Sequence, residues 1–286
     1  MTENIIESFL YSKISKDNLF NGISNSFEKK EAEQYLQNAI ADANFTLNKI
    51  EPYINKNIKI LEVGGGIHLL STFLHDSGYR ITSIEPGNFI FFVERLRENI
   101  LKELDLKNIY TCKLEEFNTD EKYDFIFSIN VLEHTESVVE HLNSQTALLS
   151  DTKAKVLVRS PNYNIPFDPH FYKFFIPFFP NFTYKKVLKK KLIKDLSQKK
   201  YYDILNSLNF DCKYSVINKK FNIKKTYNPF NEIFERLEND KDFNNRILQN
   251  SLINNLYKFI SKFKTKLFNF IPKRFYPYLI LEIEKN

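Results

Sequence analysis

The chain has 286 residues, enough for one large domain or for a domain with a cap. Hydrophobic residues make up 43% and charged residues 27%, with Phe 28, Tyr 16, Trp 0, Gly 6 and Cys 2. This excludes collagen-like, low-complexity and disulfide-scaffold classes, and a cysteine-rich zinc site. The net charge of +6 divides into −7 over residues 1–184 and +13 over residues 185–286. Such asymmetry fits a directional surface for an anionic partner, and equally the lysine enrichment of an AT-rich genome. No apolar run reaches the ~20 residues of a membrane span. Glu3 and Glu7 stand where a signal peptide carries positive charge, so a cytoplasmic protein is expected.

In chain order, residues 1–50 carry apolar residues at helical spacing with no Pro between them. Ile58, Ile60, Leu61 and Val63 then form a short apolar strand that runs straight into three glycines. The spacing next predicts a helix over Leu69–Ser77, a strand over Arg80–Ile84, a helix over Phe89–Leu104 and a strand over Ile109–Cys112. Tyr123–Ile129 is a fourth strand, Ser137–Leu149 a helix and Lys155–Arg159 a fifth strand. Strands alternating with helices indicate an α/β fold, a doubly wound parallel sheet with helices on both faces. Beyond residue 160 the alternation stops. Residues 160–184 are rich in Pro and aromatics, and 185–200 form a basic run. Lys200–Leu208 reads as a helix, Phe210–Asn218 as a strand, 220–275 as basic and helical, and Tyr278–Glu284 as a closing strand.

Three of the six glycines, Gly64, Gly65 and Gly66, sit between the first strand and its helix. Glycine lets the backbone turn tightly and lets a ligand approach it. A loop so placed presents backbone N–H groups and a helix start to a bound cofactor. Glu85 ends the second strand, where a carboxylate can accept from both ribose hydroxyls of an adenosine moiety.

Ile60-Leu61-Glu62-Val63-Gly64-Gly65-Gly66 resembles the first motif of class I S-adenosylmethionine-dependent methyltransferases. Ser83-Ile84-Glu85-Pro86 is similar to that family's ribose-binding strand end. Ser128-Ile129-Asn130-Val131-Leu132-Glu133-His134 resembles the segment after the fourth strand in its small-molecule, ubiquinone-biosynthesis-like branch. The resemblance covers about residues 55–160 and implies a Rossmann-like seven-stranded sheet whose last strand is antiparallel. It divides the chain into an N-terminal helical cap (1–50), a cofactor-binding core (51–160), an aromatic and basic cap segment (161–200) and a completing segment (201–286). The last supplies strands six and seven at Phe210–Asn218 and Tyr278–Glu284, with a basic helical insert at 220–275.

By the resemblance the cofactor is S-adenosylmethionine. Glu62, Gly64, Gly65 and Gly66 line its methionine part, and Glu85 holds its ribose. Leu114, within Lys113-Leu114-Glu115, borders the adenine, and Asn130 lies near the methionine end beside the acceptor opening. Two positions depart from the family pattern: His68 replaces the third glycine, and Lys113 replaces an acid. A dehydrogenase shares the loop physics but lacks the Asn130–His134 segment and the tail strand.

Methyl transfer needs an acceptor atom held in line in a dry site, and a base where the acceptor is a hydroxyl. His170, assisted by Asp168, is the candidate base, in a Pro-rich loop after the fifth strand. The aromatics of residues 171–184 pack a cap, line an apolar acceptor site or touch a membrane. Residues 252–271 place lysines among apolar residues at helical spacing. They form a cap helix with a solvated face, or one lying peripherally on an anionic membrane surface. A small-molecule, glycan or lipid-linked acceptor, methylated on oxygen, is expected. A non-catalytic scaffold is the alternative, with RNA or other nucleic acid behind it. No clustered set of His and carboxylates appears, so no metal is expected.

Overall fold

Residues 4–87, 90–104, 108–168, 173–176, 179, 182–183, 208–230, 233–234 and 270–285 are described in the computed structural model. The chain clusters into two compact units. The first comprises Met1–Ile129 and Asn143–Val156, and the second Asn130–Leu142 and Leu157–Glu284.

In the first unit, the N-terminal stretch read as helical holds helices α1 (Ile5–Lys13), α2 (Lys16–Leu19) and α3 (Ser26–Ile50). Asn25 caps α3 by accepting the Phe27 N–H at 2.9 Å. Its stripe of Ala32, Leu36, Ile40, Ala43 and Ile50 is buried, as helical spacing requires of a one-sided helix. Pro52 then turns the chain into a short 3-10 segment. Strand β1 (Lys59–Val63) leads to α4 (Leu69–Asp76), β2 (Arg80–Ile84), α5 (Phe91–Leu104), β3 (Ile109–Tyr110) and β4 (Phe125–Ile129). Helix α3 packs on α4 and α5, and α1 packs on α3 and α4, where Phe9 meets Phe73 edge-on at 5.5 Å. The Asn99 side chain donates to Leu19 O and Asn21 O, so α5 holds the turn after α2.

Strands β1, β2 and β4 are parallel and buried on both faces, with Glu62, Ser83 and Ser128 as polar residues among the apolar ones. The register sets Glu62 opposite Ser83 on β2 and opposite Phe127 on β4. Helix α6 (Val138–Ala147) precedes β5 (Lys155–Pro161).

In the second unit, β6 (Phe167–Asp168) and β7 (Lys173–Phe174) make a small antiparallel pair within the aromatic segment. Phe174, Ile176, Phe179 and Phe182 are exposed there, while Phe175 is buried. Buried Asn162 ties this unit together. Its amide donates to Tyr276 O at 2.8 Å, and its Oδ1 accepts the Tyr214 N–H at 3.2 Å. Strand β9 (Tyr278–Glu284) runs antiparallel to β8 (Asn222–Thr226), and the seven-stranded sheet has the order β3-β2-β1-β4-β5-β9-β8. The expected mixed sheet with an antiparallel last strand is therefore present.

The sixth strand corrects the sequence reading. Phe210–Asn218 is not a strand: it contains the one-turn helix α7 (Tyr214–Ile217). Side-chain oxygens of Asn162 and Asn164 accept the Tyr214 and Ser215 N–H groups and so favour that turn. The strand lies at Asn222–Thr226, inside the stretch read as helical insert. As an edge strand it carries Lys224 and Lys225 and a register shift, which keep neighbours off but erase the alternating pattern. The basic run at 185–200 and nearly all of 252–271 lie outside the described residues. Among the described residues no helix is long and apolar enough to cross a membrane.

Candidate active site

At the carboxyl end of β1 the chain turns through its glycines. Gly64 and Gly66 have φ of 80° and 56°, which glycine adopts without cost. Gly64 and Gly65 donate their N–H groups to Ile84 O at 2.8 and 3.2 Å, pinning the loop to the end of β2. Glu85 accepts the Gly66 N–H on Oε2 at 3.0 Å and the Gly87 N–H on Oε1 at 3.2 Å. Each carboxylate oxygen thus keeps a further lone pair for a ligand hydroxyl. Among the described residues nothing lies within 4 Å of a Cβ built on Gly66, which leaves a side of the loop open there. Gly65 is the opposite case. A Cβ on it would stand 2.3 Å from Ser83 Oγ, 2.6 Å from His68 Nδ1 and 2.9 Å from Glu62 Oε2.

His68, the departure from glycine, retains a left-handed backbone at φ 61°. That conformation costs a non-glycine residue about 1 kcal/mol. Its ring is buried and shares a 3.0 Å hydrogen bond with the Ser83 hydroxyl, which donates to Glu62 at 2.7 Å. The ring is thus tucked under the loop on the Gly65 side.

Burial raises the Glu85 pKa above the ordinary range, against the Gly66 and Gly87 hydrogen bonds and Arg97. Burial also lifts Glu62 from 4.5 to about 7, with Ser83 and Ser71 pulling it down and Glu85 pushing it up. His68 is lowered to about 3 by burial and by the Arg97 charge. On α3, Tyr35 is raised to about 12 by burial, Glu85 and Asp42, which puts its phenol within electrostatic reach of Glu85.

Glu62 makes the stability of the fold depend on pH. Its folded pKa lies above its unfolded one, so its contribution is complete below pH 4.5 and is lost as pH rises through about 7. Glu62→Gln removes that loss. Thermal unfolding of the cofactor-free variant should show a gain of up to about 3 kcal/mol over wild type near pH 8. The gain should vanish near pH 4.5; a gain equal at both pH values contradicts the assignment.

Glu62, Gly64, Gly65, Gly66 and Glu85 are thus brought together. Leu114 is buried in a 3-10 turn after β3. In the second unit Asn130 also holds a left-handed backbone, at φ 57°. Two hydrogen bonds with Arg159 fix it: Asn130 N to Arg159 O at 2.8 Å, and Arg159 Nη1 to Asn130 Oδ1 at 2.6 Å. The Arg159 guanidinium lies over the Tyr278 ring at 4.4 Å. Glu133 is buried and accepts the Ser160 hydroxyl at 2.7 Å, with the Cys212 thiol 3.1 Å from the same hydroxyl. Asp168 is fully buried and accepts the Tyr163 hydroxyl at 3.3 Å. His170 lies outside the described residues.

A cleft of about 350 Å³ opens at the amino ends of the strands, between Tyr53, Ile58, Asp124, Phe125 and Lys153. Asp124 is already engaged there by the Lys59 N–H and the Ser150 hydroxyl. Ligands of open α/β sheets bind at the carboxyl ends, where the glycine loop lies.

Residues 33–202 match the family model described as a methyltransferase domain. The chain belongs to that family. Its class I, S-adenosylmethionine-dependent form agrees with the sheet, whose β9 lies between β5 and β8 and is antiparallel to β8. An uncharacterized protein of Mycobacterium tuberculosis is 39% identical over 114 residues, 39% of each chain. The ubiquinone biosynthesis O-methyltransferase of Rickettsia bellii is 30% identical over 139 residues, 46% of this chain and 56% of that one. The chain therefore spans between about two fifths and just over half of these relatives' length. Among solved structures, coclaurine N-methyltransferase bound to N-methylheliamine and SAH is similar with a TM-score of 0.36. It is 16% identical, over 46% of this chain and 40% of that one. The methyltransferase cofactor fits the residues present: Glu85 has acceptor capacity for ribose hydroxyls, and Gly66 leaves space beside it.

Sequence reasoning missed Ser83, Tyr35 and Arg159. Ser83 was legible: Glu62 and Ser83 are each the fourth residue of their strand, and parallel pairing in register makes them neighbours. Tyr35 and Arg159 carried no local signal.

Proposed function

We propose that the protein moves a methyl group from S-adenosylmethionine to a hydroxyl oxygen of a small-molecule, glycan or lipid-linked acceptor. The observation that carries this reading is the loop of Gly64–Gly66 closed onto a Glu85 carboxylate that still has room to accept. When bound, the cofactor supplies a methyl group made electrophilic by its sulfonium. Glu85 binds ribose, Gly66 keeps the backbone out of the cofactor's way, and Leu114 borders the adenine. Asn130, locked by Arg159, lines the acceptor side. His170 takes the hydroxyl proton of the acceptor, and Asp168 steadies the loop through Tyr163.

Oxygen as the acceptor atom is supported by the similarity to the Rickettsia O-methyltransferase. An apolar or lipid-linked acceptor is supported by the exposed Phe174, Phe179 and Phe182. The lysines of 252–271 would then meet an anionic membrane surface from the cytoplasm.

The test is label transfer from methyl-labelled S-adenosylmethionine to a panel of phenolic, sugar and polyprenyl-linked alcohols. Transfer to one hydroxyl class should rise with pH through neutrality. It should fall about a hundredfold in His170→Ala, the usual scale for loss of a general base. S-adenosylhomocysteine affinity should stay unchanged in that variant. Label on an amine, or undiminished transfer by the variant, contradicts the reading.

A further inference from the structure

Beneath the glycine loop three buried polar side chains stand in series. Ser83 Oγ lies 2.7 Å from Glu62 Oε2 and 3.0 Å from His68 Nδ1. Exposure is 6% for Glu62, 1% for Ser83 and 0% for His68. At the far end His68 Nε2 is buried and has no hydrogen-bond partner among the described residues. Gly65 is squeezed against all three, since any Cβ there would strike each of them.

A serine hydroxyl has one proton, so such a series has two proton orders. In the first, ionised Glu62 accepts from Ser83, Ser83 Oγ accepts from His68 Nδ1–H, and Nε2 is bare. In the second, protonated Glu62 donates to Ser83, Ser83 donates to a bare Nδ1, and His68 carries its proton on Nε2. The orders differ by one proton. It enters at Nε2 while Nδ1 passes its proton to Ser83 and Ser83 passes its own to Glu62. The imidazole is neutral at both ends of the exchange.

We propose that Glu62, Ser83 and His68 form a proton relay in which the charge on Glu62 fixes the tautomer of His68, making His68 a positioning residue for the cofactor's methionine end. This rests on the reading that Glu62 lines the methionine part of the cofactor. The methionine ammonium is a cation and favours the ionised order. The charged and titratable groups around the series are Glu85, which faces Glu62, and Arg97, which faces His68. Glu94 and Tyr35 act on Glu85. Burial among these groups holds Glu62 at about 7, so the relay switches near neutrality, while His68, at about 3, stays neutral throughout. A cation beside Glu62 pulls its pKa down on binding. Binding therefore releases a proton, and affinity rises with pH by at most about tenfold per pH unit below the switch.

Two measurements test this on the full chain. Side-chain ¹⁵N spectra of His68 in the cofactor-free protein should change from Nε2–H to Nδ1–H as pH rises through about 7, with no imidazolium signal. Titration with S-adenosylhomocysteine should give about tenfold tighter binding near pH 8 than near pH 6. His68→Gly should weaken binding near pH 8. His68→Asn, which tolerates the left-handed backbone and offers Ser83 an amide donor, should restore it. A tautomer that is constant over this range overturns the relay. A switching tautomer with pH-independent affinity overturns the positioning role. A switching tautomer with no binding at any pH overturns the cofactor reading of Glu62 and leaves the relay standing.

Discussion

Gly65→Ala should weaken S-adenosylhomocysteine binding more than tenfold and lower the melting temperature by about 5 °C, because overpacking a closed site costs about 1–3 kcal/mol. The added methyl would stand 2.3 Å from Ser83 Oγ, closer than any real contact, with His68 Nδ1 and Glu62 Oε2 on its other sides. Ser83 is held by strand register and His68 by burial, so neither can withdraw. Gly66→Ala is the informative contrast. Its Cβ meets nothing within 4 Å among the described residues, but its φ of 56° favours glycine. That variant should lose only about 1 kcal/mol of stability while its methyl enters the cofactor's space. Calorimetric titration and thermal unfolding of the pair separate a support glycine from an access glycine. Equal behaviour of the two variants contradicts this division.

Glu85→Ala should weaken S-adenosylhomocysteine binding about a hundredfold, the loss of two hydrogen bonds to a charged group. It should also destabilise the cofactor-free protein, since the Gly66 and Gly87 N–H groups lose their acceptor. Glu85→Gln keeps one acceptor oxygen and should fall between wild type and Ala in both readouts. An Ala variant that binds within a few-fold of wild type removes Glu85 from the ribose site.

Much of this was open to reading in the chain. The strand-glycine-helix junction at 60–69 and Glu85 declared themselves through local chemistry: apolar runs, rare glycines and one acid at a strand end. Tyr278–Glu284 was visible because a buried strand needs a dense apolar run. Strand β8 was hidden for the converse reason, as an edge strand of lysines and asparagine with no buried alternation to betray it. The glycine loop also behaves differently from the expectation that its N–H groups face the cofactor. Those of Gly64, Gly65 and Gly66 are spent on Ile84 O and Glu85, so the loop is first braced and then open on one side. His68 departs from the family's glycine, yet it holds the left-handed backbone that glycine favours. Contacts that join distant segments, such as Arg159 over Tyr278 or Tyr35 near Glu85, depend on tertiary packing and leave no mark on local pattern.

The most direct test of the account is calorimetric titration of the intact protein with S-adenosylhomocysteine, with NADH as the control ligand. Micromolar binding of S-adenosylhomocysteine, silence toward NADH, and loss of the signal in Glu85→Ala are the predicted results. Tight NADH binding, or no S-adenosylhomocysteine binding near pH 8, would contradict it.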